Sequence, residues 1–314
     1  GVEMGANGLM MEDGRRPPRW RIRAAFAALC LLVSSSSLLP VGTDAGPSSI
    51  EKQSCFYGGI GLIALIVAHR RVWARMQARN WVWLRLAGVS VMLLGVPAIA
   101  GEWAQAGVPD VSRAALFALV PFVVVAVTMS REPIVGEESG VRRFFAPALA
   151  GFGGALFLLS FSFPISVRAR TMFGVLLLAV VVVGFASAWI YRLLRGFGMV
   201  EALAVVCLSN ALFLAVCGLL SGGSWNGAMS LISISSLFYL LDLLLLIFLL
   251  REMTPVRLAV RFFLVPLLAV LEGFVILRPA FTARMGLGLV LLVGAAGYTL
   301  LSRSHDSDAV LSIR

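Results

Sequence analysis

Two carboxylates stand inside apolar stretches of this sequence, Asp242 and Glu272. An ionisable group at membrane depth costs about 2.5–3.5 kcal/mol on insertion scales, so it usually faces protein or a water-filled cavity. Asp242 has company. Ser235, Tyr239 and Asp242 are spaced i, i+4, i+7, which places them on one helix face. A polar stripe ending in a carboxylate suits a cavity wall, where it would contact a solute's amine or accept a proton. A Ser/Tyr/Asp hydrogen-bond clamp to a neighbouring helix is the plainer alternative. Glu272 precedes Gly273 and lies a turn or two from the outer end of its span. It could line a vestibule, bind a cation, or pair with Arg278 or Arg284.

Other polar or helix-bending residues fall inside the apolar runs. Pro121 and Pro266 each remove one helical hydrogen bond and bend the helix. The carbonyl so freed can face a cavity or be satisfied by a neighbour. Asn210 shares a face with Cys207, Leu214 and Cys217, which fits either an interhelical hydrogen bond or cavity lining. The serines from Ser34 to Ser37 interrupt the first apolar run, and their hydroxyls can bond back to helix carbonyls. Gly151, Gly153, Gly154, Gly294 and Gly297 are most simply sites of close helix packing.

The elements that must carry these residues are membrane helices. The chain has 314 residues, 60% of them hydrophobic and 13% charged, whereas a soluble domain carries roughly 25% charged residues. Apolar runs recur along the whole length, each long enough to cross a bilayer core about 30 Å thick. Lipid offers the backbone no hydrogen-bond partner, so the spans must be helical. Ten are expected, at 22–42, 55–68, 82–100, 113–129, 144–162, 171–190, 199–220, 228–250, 258–277 and 285–301. The second is short and Gly-rich around Tyr57-Gly58-Gly59-Ile60-Gly61. Residues 15–45 have the outline of a signal peptide, but the apolar stretch is too long for one and is read as the first helix. Residues 1–21 and 302–314 are polar tails.

The net charge of +10 does not point to nucleic acid, because the basic residues sit in short connectors between apolar runs. With the N-terminus in the cytosol, the cytosolic connectors and first helical turns hold 20 of the 26 Arg and Lys residues, Arg257 and Arg261 among them. That bias places both termini in the cytosol. Tryptophan prefers the interface, and Trp20, Trp73, Trp81, Trp83, Trp103, Trp189 and Trp225 all fall near predicted span ends. The 25 arginines against a single lysine, Lys52, hint at a GC-rich bacterial genome, hence a bacterial inner membrane.

Cofactor and enzyme chemistry find little footing. The four cysteines (Cys30, Cys55, Cys207 and Cys217) form no CxxC motif, and the two histidines, His69 and His305, are peripheral. No HExxH, GxSG or nucleotide-binding P-loop occurs. No metal, no cofactor and no enzymatic activity are expected.

The two halves resemble each other. Leu119-Val120-Pro121 in the fourth span and Leu264-Val265-Pro266 in the ninth lie 145 residues apart. Phe117 precedes the first triplet, and Phe262 and Phe263 precede the second. A Gly-rich span follows each. Five helices is an odd number, so the second half must enter the membrane inverted. The expectation is an all-α polytopic membrane protein built from two inverted five-helix repeats, 22–162 and 171–301. In such transporters the solute site lies near the midplane between repeats.

The chain resembles the EamA-type ten-helix members of the drug/metabolite transporter superfamily. The stretches that carry the resemblance are Ala114–Val127 with Pro121, Gly136-Glu137-Glu138-Ser139 leading into Gly151–Leu159, and Phe262–Leu301 with Pro266, Glu272-Gly273 and the closing Gly288 to Gly294. Members typically keep an acidic residue after the fourth helix of each repeat. Here the first half has Glu137, slightly displaced, and the second has Arg278-Pro279. The resemblance implies a central cavity and alternating-access transport of a small metabolite, amino acid or drug-like solute, often export. Proton coupling through Asp242 or Glu272 and uncoupled transport both remain open, as does a homodimer. The alternative is a non-transporting membrane scaffold, or a lipid-handling protein of the same fold. The candidate site residues are Ser235, Tyr239, Asp242, Glu272, Asn210, Pro121 and Pro266.

Overall fold

Long apolar runs with no polar periodicity become helices throughout the computed structural model. It describes residues 18–36, 49–78, 80–130, 142–159, 166–222, 234–277 and 282–302. Among them there is no strand. The helices are α1 (Arg19–Ser36), α2 (Ser49–Ala78), α3 (Asn80–Ser90), α4 (Val96–Ala104), α5 (Asp110–Phe117), α6 (Val120–Met129), α7 (Phe145–Leu158), α8 (Val167–Leu194), α9 (Met199–Leu220), α10 (Ile234–Glu252), α11 (Pro255–Ala259), α12 (Arg261–Leu277) and α13 (Ala283–Leu301). A π-helical turn, Val91–Gly95, joins α3 to α4 without a break.

Six helical segments are long and apolar enough to cross a membrane: Ile50–His69, Trp81–Ala104, Ser112–Met129, Val167–Leu194, Met199–Leu220 and Ala283–Leu301. This fits a membrane-embedded protein. α7 is apolar but shorter.

The second span is not short. α2 runs for 30 residues, well beyond the expected 55–68. Hydropathy missed both ends because the helix continues through Glu51 and Lys52 on one side and through the polar stretch after Ala68 on the other. Its glycines serve packing. A Cβ on Gly61 would lie 2.8 Å from the Leu208 side chain, and one on Gly58 would touch Ala211 at 3.8 Å. α2 therefore lies tightly along α9. Trp83 also departs from expectation. It is buried edge-on against Phe197, ring centroids 5.0 Å apart, so it packs the bundle interior.

α7 and α13 form the other close pair. A Cβ on Gly154 would come within 2.9 Å of the Gly288 carbonyl oxygen and 3.0 Å of the Leu292 nitrogen. One on Gly288 would come within 2.7 Å of the Leu158 nitrogen. Backbone thus meets backbone, as small residues allow in membrane bundles. Gly151 leaves room for the Phe263 ring. The packing role expected for Gly153, Gly294 and Gly297 does not hold, since each has open space where a Cβ would go. These three lie on the outer faces of their helices, a distinction that composition alone does not carry.

The remaining helices fill the space between these pairs. α8 packs on α4 and α6, α1 packs on α10 and α12, and α11 meets α6. The two proline-bearing segments are both interrupted: α5 gives way to α6 at Ala118–Leu119, and α11 to α12 at Val260.

The glycine contacts predict a contrast between neighbouring residues. Gly154→Val should destabilise the protein by about 1–3 kcal/mol, the usual cost of overpacking, whereas Gly153→Val should be nearly neutral. Thermal unfolding in detergent would show it; equal losses at both positions would contradict the packing described.

Candidate functional site

α10 carries Asp242 two turns in from its described start and packs on α1, α8 and α9. Its neighbours are set by the helices around it. α1 brings Cys30, α2 brings Tyr57, and the first residue of α12 brings Arg261. Asp242 and Arg261 lie within electrostatic range of each other, and Cys30 senses both. The two charged groups stand beyond the 4.0 Å of a direct ion pair. Asp242 Oδ1 is buried with no hydrogen-bond partner among the described residues. Cys207, on α9, closes the group from the side of Tyr57. The result is one carboxylate and one guanidinium, both largely buried, surrounded by thiols and a phenol.

Arg261 is the first residue of α12, directly after Val260. Val260 keeps helical dihedrals, and the Phe263 and Leu264 amides both donate to its carbonyl, at 2.9 and 3.1 Å, so α11 passes into α12 through one tightened helical turn. The Arg261 guanidinium lies 4.8 Å from the centroid of its neighbour Phe262, within cation–π range. Phe262 in turn stacks on Phe117, centroids 6.3 Å apart and planes 17° from parallel. A small cleft between α8, α10 and α11, lined by Ser187, Leu250, Pro255, Leu258, Arg261 and Phe262, reaches this arginine from the end of the bundle that carries Arg251 and Arg257.

Pro121 and Pro266 are both buried in protein. Proline has no N–H, so the carbonyl four residues earlier loses its helical donor. Those carbonyls belong to Phe117 and Phe262, the two residues whose rings stack. The matched prolines therefore converge on one seam.

The other expected residues divide. Tyr239 is 55% exposed and meets Phe56 edge-on at 6.3 Å, so it sits at the periphery of the Asp242 cluster. Ser235 lies on α10, but its side chain is outside the described residues. Asn210 is fully buried and donates to the Val206 carbonyl at 2.7 Å and to Ser90 Oγ at 3.4 Å. Ser90 shares a 2.8 Å hydrogen bond with Ser209. Asn210 thus serves as an interhelical clamp between α9 and α3, next to the π turn. Its Oδ1 has no hydrogen-bond partner among the described residues and faces Gly95.

Glu272 sits apart from Asp242, on the far half of α12. Its Oε1 accepts hydrogen bonds from Ser34 at 2.7 Å and Ser35 at 3.3 Å, while Oε2 is buried with no hydrogen-bond partner among the described residues. Pairing with Arg284 does not occur, since that arginine donates to the Leu156 carbonyl at 3.4 Å. Arg278, Pro279, Glu137 and Ser37 lie outside the described residues. Ser34 also donates to the Leu31 carbonyl at 3.0 Å, so it bonds back to its helix while reaching α12.

Comparison with known proteins gives fold and no family. No protein-family model matches the chain, and no curated protein matches it. A solved structure described only as "Crystal structure of protein" superposes on 90% of this chain and 98% of its own, with a TM-score of 0.62 and 18% identity. The two share a fold.

Arg261 is the residue that sequence reasoning passed over as a site candidate. Its charge counted toward the cytosolic connectors, although it falls inside the expected span 258–277. A charge within an apolar run singled out Asp242 and Glu272, and the same criterion applied to Arg261 would have found it. Tyr57, Cys30 and Cys207 carried no comparable signal.

Neutralising one member of a buried charge pair leaves the other uncompensated. Asp242→Asn and Arg261→Gln should each lower thermal stability, and the double variant should lose less than the two losses added, by a coupling of about 0.5–3 kcal/mol. Additive losses would show that the two charges do not sense each other.

Proposed function

We propose that this protein is a secondary transporter that moves a small solute across a bacterial inner membrane by alternating access, using the centre around Asp242 and Arg261 as its solute site. The observation that carries the proposal is that buried pair of opposite charges within an otherwise apolar bundle. A merely structural helix contact would be cheaper to build from apolar residues. Intramembrane ionisable groups are retained chiefly where a solute or ion passes.

The reading of ten spans as two inverted five-helix repeats is supported by how contacts exchange between the halves. Phe117 and Phe262 are equivalent in the 145-residue offset of the Leu-Val-Pro triplets, and they touch each other. Gly154 and Gly288 are 134 residues apart, as are Leu158 and Leu292, and the contact of Gly154 with Leu292 mirrors that of Gly288 with Leu158. Gly58 and Gly61 stand 150 residues before Leu208 and Ala211, and here too the contacts cross over. Contacts between equivalent residues are what a two-fold axis passing between the halves produces. Helix pairs behave likewise: α8 on α4 and α6 answers α1 on α10 and α12.

On this reading the centre draws on both halves, Cys30 and Tyr57 from the first and Cys207, Asp242 and Arg261 from the second. The tightened turns between α5 and α6 and between α11 and α12 flank the Phe117–Phe262 seam. Rocking of the halves about that seam would open the centre to each side in turn. The arginine bias places both termini in the cytosol, and the cleft leading to Arg261 then opens inward. The EamA-like resemblance of the Leu-Val-Pro segments agrees with this assignment.

Liposomes containing only this protein test the proposal. Solutes that raise its melting temperature should enter them saturably, and Asp242→Asn should reduce that flux at least about tenfold, the loss of one charge-assisted contact. Absence of any flux above empty liposomes, across metabolite, amino-acid and drug-like solutes, would contradict it.

A further inference from the structure

Glu272 takes no part in the centre around Asp242, and its own surroundings call for a ligand. Its Oε1 accepts from Ser34 Oγ at 2.7 Å and from Ser35 Oγ at 3.3 Å. Ser34 is fully buried and Ser35 is exposed, so the cluster runs inward from the surface of the bundle. Ser34 Oγ also stands 3.0 Å from the Leu31 carbonyl oxygen. A serine hydroxyl has a single proton, so it cannot serve Leu31 and Glu272 fully at once. Oε2 is buried with no hydrogen-bond partner among the described residues. Hydroxyls soften the carboxylate's charge without cancelling it. Among the described residues no cation stands within the 4.0 Å of an ion pair. α1, α5, α7, α11 and α13 pack on α12. α7 carries no charged residue, and the arginines of α1 lie in its first turns, away from Ser34. Arg113 on α5, Arg257 on α11 and Arg284 on α13 donate to the carbonyls of Gly101, Ser302 and Leu156. One negative charge is left over, and a buried charge without compensation is the costly case.

Packing does not demand that charge. On the two-fold reading the α6–α8 junction is the counterpart of α1 on α12, and there Gly184 is pressed against the Val123 side chain. A glycine and a valine meet where the other half sets serine against glutamate. We propose that Glu272, Ser34 and Ser35, with the Leu31 carbonyl, form a binding site for a small monovalent metal ion of the sodium class. Hard cations are held by oxygen, and α1 and α12 gather two carboxylate oxygens, two hydroxyls and a backbone carbonyl here. A single carboxylate balances a single positive charge, so a divalent ion would leave the site as unbalanced as before. A proton would cancel the charge but leave Oε2 bare, either as an unpaired oxygen or as an O–H with no acceptor. A metal ion engages Oε2 and releases the Ser34 proton to the Leu31 carbonyl. Glu272 lies on the half of α12 away from Arg261, the half that the arginine bias places outside, so the ion enters from the outer face. Once bound, it ties α1 of the first half to α12 of the second. Its consequence for coupling rests on the transporter reading; its binding does not.

The full chain in detergent, equilibrated with radioactive sodium, tests the site, with thermal unfolding as a second readout. Sodium should bind with single-site saturation and raise the melting temperature as its concentration rises, whereas choline at the same ionic strength should do neither. Ser34→Ala and Ser35→Ala should each weaken sodium binding roughly tenfold, the share of one ligand, and Glu272→Gln should abolish it. Absence of saturable binding to the unaltered protein would overturn the proposal, whether or not any variant folds. So would full-strength binding in the serine variants or in Glu272→Gln. A protein stabilised by mild acid and indifferent to sodium would make the occupant a proton, which also overturns it. Binding is read without flux, so the two failures are distinct: sodium binding without solute flux tells against transport alone, and flux without sodium binding tells against this site alone.

Discussion

A carboxylate and a guanidinium cannot both be taken out of water without each other. The Born cost of moving one such ion into a low-dielectric interior is of order 20 kcal/mol in the ideal case and several kcal/mol after relaxation. Most of this structure can be read as the means of meeting that constraint. α10 holds Asp242 from one side, and the first turn of α12 holds Arg261 from another. Apolar helices with glycine seams hold both in place. The closest helix approaches are α2 on α9 and α7 on α13, and the first of these pairs carries Tyr57 and Cys207.

The polar groups outside that centre obey the same economy. Glu272 accepts hydrogen bonds from Ser34 and Ser35, and Asn210 bridges to Ser90. Each is a polar residue on one helix answered by hydroxyls on another, which is how bundles in lipid satisfy groups that water would otherwise solvate. The proline-bearing segments carry the complementary feature, carbonyls without helical donors at Phe117 and Phe262, placed where two aromatic rings meet. A stacked pair can slide or part at small cost, unlike the glycine seams, where backbone touches backbone. Motion, in the proposed carrier, belongs at the aromatic contact.

Much of this was legible in the chain itself, and the reasons differ by residue. Helices and their approximate order follow from apolar runs because lipid permits nothing else. The Leu-Val-Pro triplets stood out because proline in an apolar helix is chemically conspicuous, and both proved buried and brought to one place. The full length of α2 was hidden, since hydropathy does not register a helix that continues into polar residues. Which glycines pack and which face outward depends on helix rotation. Gly154 and Gly153 differ by one residue and lie on different faces. Arg261 was passed over because arginine near a span end reads as a topology signal, and its neighbours emerge only once the helices are packed. Cys30, Cys207 and Tyr57 gave no warning, because a buried thiol looks like any small apolar side chain until its neighbours are known.

Accessibility at the aromatic seam reports most directly on whether two halves rock about a central site. Cysteines placed at Phe117 and at Phe262, in a background without the native cysteines, can be reacted with a membrane-impermeant thiol reagent applied from one side of the membrane and then from the other. Alternating access predicts that both positions react from each side, and that locking one conformation protects them from the opposite face. If neither position reacts from either side, the seam is a static core contact and the molecule has no path through its centre.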